Sequence, residues 1–371
     1  MARLDLSAGD RMVVKVGTAS LVGPGGEPDE ARLSGLCEQI TGLARSGVRV
    51  MLVSSGAIAA GLGPLGLAAR PSDIPSLQAA AAVGQGRLLS RYAKLLGDAG
   101  LVTAQLLLTR YDFMNRQHYV NARNTLDRLL DLGVVPIVNE NDTVAVDEIR
   151  FGDNDRLAAL VGNLSRAKVL ALLTDTKGVH TDDPRRFPEA PVIDEVDRIT
   201  PELEKRAGGR SSELGSGGMA SKIAAAWVAT FSGVGVVVAD ATEPDVLSRI
   251  ASGDKVGTFF HPHPTRISAR RLWIAFAQPP RGTVEVDAGA RRAMVQDKRS
   301  LLPVGVVGLS GSFRNGDVVD VREATGPVFA RGLVRYDASE LQEAQGRPSA
   351  ELAGREVIHR DQLIILEGDP T

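Results

Sequence analysis

The chain has 371 residues, 43% of them hydrophobic and 24% charged, which excludes a disordered or fibrous protein and predicts two or three domains rather than one. Lys and Arg number 43 against 45 Asp and Glu, a net charge of -2, so the global charge attracts neither nucleic acid nor an anionic membrane surface. Aromatic residues make up only 4% while glycines number 40, so the core must be built from Val, Leu, Ile and Ala, with loops whose backbone can approach a ligand closely.

The N-terminal stretch MARLDLSAGDR lacks the apolar segment of a secretion signal. No apolar run reaches the roughly 18 residues of a membrane span, so a cytoplasmic protein with no membrane partner is expected. Met12 to Val16 reads as a buried strand. Pro28 to Ala44 carries Leu33, Leu36, Ile40 and Leu43 at helical spacing and is closed by Gly47. The single cysteine, Cys37, falls on that apolar face and is expected to be a buried, inert thiol. A strand follows at Val48 to Val53, a helix at Ser76 to Leu96, a strand at Val102 to Leu108, a helix at Asn121 to Leu132 and a strand at Val134 to Val138. The alternation continues through helix Asp155 to Leu164, strand Val169 to Leu173, helix Met219 to Phe231 and strand Val234 to Ala239. Continuous apolar strands separated by helices predict an α/β fold, a mainly parallel sheet sandwiched by helices, with ligands at the carboxyl ends of the strands.

The texture changes after Phe260. His261 to Pro280 holds Pro262, Pro264, Pro279 and Pro280 around an apolar Trp273-Ile274-Ala275-Phe276 and reads as a linker. Beyond it, Thr283 to Val286, Val304 to Val307, Val318 to Val321 and Gly332 to Tyr336 read as short strands broken by Gly-rich turns such as Asn315-Gly316-Asp317. The expected division is therefore residues 1–260, a linker at 261–280, and a small, mostly β module at 281–363.

Four glycine-centred loops follow predicted strands: Lys15-Val16-Gly17-Thr18, Ser54-Ser55-Gly56-Ala57, Asn139-Glu140-Asn141-Asp142 with Gly152-Asp153-Asn154-Asp155, and Gly215-Ser216-Gly217-Gly218-Met219-Ala220-Ser221-Lys222. Each offers cations, hydroxyls, amides or backbone N–H groups suited to part of a phosphoryl transfer. Each alone also has a plainer reading as a solvated lysine, a helix cap or a turn. Their shared position, after strands of one parallel sheet, favours a single site. Gly61-Leu62-Gly63-Pro64-Leu65-Gly66 satisfies a dinucleotide pattern but follows no strand and is interrupted by Pro64. His359-Arg360-Asp361 imitates a protein-kinase loop without its later Asn.

Taken in order, these loops together with Ala82-Val83-Gly84-Gln85, Leu108-Thr109-Arg110, Asn121-Ala122-Arg123-Asn124-Thr125-Leu126 and Leu173-Thr174-Asp175 resemble the amino acid kinase family, in particular its members that act on L-glutamate. The likeness spans about residues 10 to 260, and the tail resembles a PUA domain. The resemblance implies ATP-dependent phosphorylation of the glutamate side-chain carboxylate, the first step of proline biosynthesis, with feedback inhibition by proline. It implies ATP contacts at Lys15, Thr174, Asp175, Ser216, Gly217, Gly218, Met219, Ala220, Ser221 and Lys222, and glutamate contacts at Ser55, Asn139, Asp142 and Asn154. Lys15 and Lys222 are the expected catalytic cations. Asp153 and Asp155 are expected to organise Mg2+ or to meet the substrate ammonium. Ala19 and Ser216 depart from the usual Ser and Thr of these motifs. A homo-oligomer is expected, with a glutamate-5-semialdehyde dehydrogenase as the implied receiver of the product.

The chemistry agrees with that implication. A glutamate side chain has a pKa near 4.3, so the nucleophile is ionised at neutral pH and needs no general base. The alternatives are a family member acting on aspartate, N-acetylglutamate, carbamate or UMP, and an RNA-binding protein working through the tail. In that tail acidic residues slightly outnumber basic ones, which lacks the footprint of tight phosphate-backbone binding.

Overall fold

The computed structural model describes residues 3–21, 29–144, 154–184, 186–200, 203, 218–263 and 280–366. Two compact units divide the chain, Met1–Arg266 and Ile267–Thr371. The Trp273 to Phe276 segment and most of the expected linker lie outside the described residues.

The first unit opens with β1 (Arg11–Val16), α1 (Thr18–Leu21), α2 (Glu30–Arg45) and β2 (Arg49–Ser54). Helix α2 starts where Asp29 accepts hydrogen bonds from the backbone N–H groups of Ala31 and Arg32, satisfying two of the donors a helix start leaves open. Its buried face carries Leu33, Leu36, Cys37, Ile40 and Leu43. Burial pushes the Cys37 thiol up to about 12, which makes it the inert group expected. A short helix that the periodicity does not reveal, α3 (Ala57–Leu62), comes next, then the long α4 (Ile74–Asp98). These two meet backbone to backbone. A Cβ on Gly84 would stand 1.8 Å from the Ala57 carbonyl oxygen, and one on Gly61 would stand 1.9 Å from that of Ala80.

The chain continues through β3 (Thr103–Leu108), α5 (Arg110–Met114), α6 (Arg116–Asp131), β4 (Val135–Glu140), α7 (Asn154–Ser165), β5 (Val169–Thr174), β6 (Glu195–Val196), α8 (Met219–Phe231), β7 (Gly235–Asp240), α9 (Val246–Ala251) and β8 (Thr258–Phe260). Helix α6 begins five residues before the periodic pattern suggests, because Asn115 caps it by accepting from the N–H groups of Gln117 and His118. The sheet order is β3-β4-β2-β1-β5-β7-β8-β6. Pairing is parallel from β3 to β7, as expected, and β8 reverses against β7. The middles of the central strands are apolar because helices cover both faces, and Met12, Val14, Leu52, Ile137 and Ala171 contribute to the core. No described helix is long and apolar enough to cross a membrane.

The second unit contains β9 (Gly282–Val286), α10 (Ala288–Val295), β10 (Val306–Gly311), β11 (Val318–Glu323), β12 (Val328–Leu333), α11 (Ala338–Ala344) and β13 (Leu363–Ile365), in sheet order β10-β9-β11-β12-β13. Two expected strands are displaced. Pro303–Gly305 forms a 3-10 turn, so the strand expected from Val304 begins at Val306. The strand expected at Gly332 to Tyr336 instead occupies Val328–Leu333, its register set by antiparallel pairing with β11. Both described α-helices of this unit are short and escape the periodicity.

Candidate active site

Strands β4, β2, β1 and β5 are neighbours, and the register sets Val16 beside Ser54 and Leu173. The loops after these strands therefore open from one edge of the sheet, where an α/β fold gathers its ligand groups. Helix α7 begins at that edge with Asn154 and Asp155, and these consecutive residues serve two different clusters.

Asp155 is the centre of the first. Its side chain is fully buried, and Lys15 on β1 and Lys222 in the opening turns of α8 are 4% and 5% exposed. Lys15 Nζ is ion-paired with Asp155 Oδ1, and Lys222 Nζ lies 3.3 Å from Oδ2. Ser221 Oγ donates to the same Oδ2 at 2.6 Å. Burial alone would raise the Asp155 carboxyl, but the two lysines and the Ser221 hydroxyl outweigh it and hold the group below the ordinary carboxylate range. A Cβ on Gly17 would come 3.8 Å from Lys15 Nζ, so the first glycine loop runs over the amine. Three segments, far apart in sequence, thus converge on one buried cation–anion–cation arrangement.

Asn154 organises the second cluster. Its Nδ2 donates to the Ser54 carbonyl at 2.7 Å, to Asn139 Oδ1 at 2.8 Å and to Ser55 Oγ at 3.2 Å. Asn139, at the end of β4, donates through Nδ2 to Gln85 Oε1 at 2.6 Å. Below them Ser54 Oγ shares a hydrogen bond of 3.0 Å with the hydroxyl of Tyr92, whose complete burial raises its pKa. Gly56 initiates α3 with a left-handed φ of +96°, a conformation that favours glycine, and this turns the chain away directly after Ser55.

Of the residues singled out from sequence, Lys15, Asp155, Ser221 and Lys222 lie in the first cluster, and Ser55, Asn139 and Asn154 in the second. Thr174 ends β5, with Oγ1 donating to Asp175 Oδ1 at 3.1 Å. Asp142 is partly buried just past β4, and Gly218, Met219 and Ala220 form the start of α8. Asp153, Ser216 and Gly217 lie outside the described residues. The structure adds Gln85, from the Ala82-Val83-Gly84-Gln85 motif, to the second cluster. The available signal was a carboxamide on the buried face of α4, in step with Leu77, Ala81, Leu88 and Tyr92. Arg110 is a second addition, buried at the start of α5, where desolvation and the nearby Arg156 lower its guanidinium and Glu140 opposes them.

The sequence profile of the amino acid kinase family matches residues 10–240, and that of the PUA domain matches residues 282–354. Proteins named glutamate 5-kinase align along nearly the whole chain. The one from Syntrophotalea carbinolica is 44% identical over 97% of this chain and 98% of its own length. Those from Geobacter sp. strain M21 and Myxococcus xanthus are 45% and 46% identical over 96% and 98% of this chain, and 97% and 98% of their own lengths. Among solved structures, UMP kinase from Ureaplasma parvum superposes with a TM-score of 0.47 at 14% identity, covering 68% of this chain and 98% of that one, a likeness too remote to speak to substrate. With the family profile matching residues 10–240 and 44% identity along nearly the full length, the chain belongs to the amino acid kinase family, alongside proteins named glutamate 5-kinase.

Proposed function

We propose that the protein transfers the γ-phosphoryl group of ATP to the side-chain carboxylate of L-glutamate, giving γ-glutamyl phosphate and ADP, the first step of proline biosynthesis. The observation that carries this reading is the buried Lys15–Asp155–Lys222 arrangement at the carboxyl edge of the sheet, beside the amide cluster on Asn154. In the reaction a glutamate carboxylate oxygen forms a bond to the γ-phosphorus while the bond from that phosphorus to the β–γ bridging oxygen breaks, its electrons leaving on ADP. No proton has to move. The task is to bring two anions together in line and to stabilise the charge on the transferring group, which is positioning plus electrostatics.

Lys15 and Lys222 supply that positive charge, and Asp155 holds both amines in place. Gly218 has extended backbone angles and open space where a side chain would begin. Among the described residues neither strain nor packing asks for glycine there, and close approach of phosphate oxygens to the N-terminus of α8 does. Thr174 and Asp175 border the nucleotide in this reading, and Ser55, Asn139, Asp142 and Asn154 hold glutamate. Mg2+ binds through phosphate oxygens and one or two carboxylates and would offset phosphate charge. Asp155 does not fit that task, since its oxygens are engaged by Lys15, Lys222 and Ser221, and among the described residues no three His, Cys, Asp or Glu side chains converge as a metal cage. Asp153 is the carboxylate proposed for the ion.

The protein is further proposed to act as a homo-oligomer and to hand its labile product to a glutamate-5-semialdehyde dehydrogenase. ATP-dependent hydroxamate formation tests the core reading. A signal with L-glutamate and none with aspartate, N-acetylglutamate, carbamate or UMP is expected, and a preference for any of the others would overturn it.

A further inference from the structure

We infer that Gln85 is a substrate-binding residue whose side-chain Nε2 donates a hydrogen bond to a carboxylate oxygen of the acceptor amino acid. The inference rests on the glutamate-phosphorylating function proposed above and adds a donor to its acceptor site.

The orientation of three carboxamides follows from two backbone groups. The Glu140 N–H can only donate, and it lies 2.9 Å from one side-chain atom of Asn139; that atom is therefore the oxygen. The Ser54 carbonyl can only accept, and it lies 2.7 Å from one side-chain atom of Asn154; that atom is therefore the nitrogen, which also reaches the Asn139 oxygen at 2.8 Å. With its oxygen so occupied, Asn139 turns its nitrogen toward Gln85 at 2.6 Å. Gln85 must meet it with oxygen, so its Nε2 points elsewhere.

That Nε2 is buried and has no hydrogen-bond partner among the described residues, and Gln85 as a whole is 8% exposed. Buried amide donors in folded proteins are almost always satisfied, because desolvation without a partner is costly. An orphan donor tied through Asn139 to Asn154 and Ser55 is one kept for a ligand. The ligand atom must be an acceptor. Glutamate brings four carboxylate oxygens, and the phosphate-binding lysines belong to β1 and α8, whereas Gln85 is anchored on the β4 side of β2. The amino acid, rather than the nucleotide, is its partner.

Two substitutions separate this role from simple tethering of Asn139. Gln85→Glu keeps an oxygen for Asn139 but replaces the donor with a second acceptor facing the substrate carboxylate; Gln85→Leu removes both. Steady-state hydroxamate assays should show KM for glutamate rising roughly 10- to 100-fold in Gln85→Leu, the span expected for one hydrogen bond to a charged group. In Gln85→Glu it should rise at least as far, with KM for ATP within about threefold of wild type in both. Titration calorimetry of the folded variants with glutamate should show the same loss without turnover. A Gln85→Glu enzyme with unchanged glutamate KM would reduce Gln85 to a tether and overturn the inference. Wild-type enzyme inactive on glutamate would instead overturn the function it rests on, and the inference with it.

Discussion

Asp155→Asn removes one charge at almost constant shape and takes from two buried ammonium groups the carboxylate that pairs with both. Asp155 is fully buried and both lysines nearly so, so solvent cannot replace the lost carboxylate. Removing one partner of a buried ion pair costs about 3–5 kcal/mol. For a unit of this size each kcal/mol moves the midpoint by about 2–4 °C, so the transition of the larger unit should fall by roughly 6–20 °C in scanning calorimetry at pH 7. The sign of the pH dependence follows from the depressed carboxyl. Its stabilisation is complete above the unfolded carboxylate pKa near 3.9 and is lost as pH falls through the lower folded value. The gap between wild type and variant should therefore stay constant at neutral pH and begin to close below about pH 4. Adding Lys222→Met to Asp155→Asn should recover part of the lost midpoint, since one ammonium rather than two then lies beside the neutral amide, yet recover none of the activity. A variant melting within about 2 °C of wild type, or a gap that does not narrow on acidification, would refute the account.

Lys222→Ala should lower kcat on the order of 100-fold or more, by analogy with the loss of one preorganised donor to a transition-state charge; near-normal kcat in the folded variant would remove Lys222 from the chemistry. Two glycines of α4 should respond with opposite signs in chemical denaturation. Gly84→Ala forces a Cβ to 1.8 Å from the Ala57 carbonyl and should destabilise by about 3 kcal/mol or more while disturbing the Ser55 turn. Gly86→Ala meets open space in an exposed helical position and should stabilise by up to ~1 kcal/mol. Free proline should raise the apparent KM for glutamate without changing that for ATP, and rate curves unchanged by proline would remove the feedback proposed at this site.

The parallel sheet was legible because its strands are mostly apolar runs between helices that announce themselves by spacing and caps. Helix α3 was not, because Ala57 to Leu62 follows a strand directly and owes its helical state to backbone contact with α4, a fact that resides in Gly61 and Gly84 together and in neither alone. The same limit separates Asp153 from Asp155. Both are acidic residues of one Gly-Asp-Asn-Asp motif, and only the packing of α7 beneath β1 and α8 shows that Asp155 faces two lysines. In the second unit the Val-rich segments foretold strands, but Pro303 and the pairing of β12 with β11 decided where they begin. Gln85 was hidden for a different reason, since its meaning lies in which way an amide points.

The near-zero net charge of the chain takes on a different meaning beside this site. An acceptor that is already ionised needs no base, so the barrier left to lower is the approach of one anion to another, and positive charge has to be fixed where water cannot screen it. A single buried ammonium would carry a large desolvation cost without a partner. Two ammonium groups sharing one carboxylate reduce that cost and still leave one unit of positive charge for the phosphoryl group. The arrangement needs no surplus of Lys and Arg over the rest of the surface. In the proposed reaction, a protein with 43 basic and 45 acidic residues binds two anions through local cations placed by the ends of β1 and α8 and oriented by the first residues of α7.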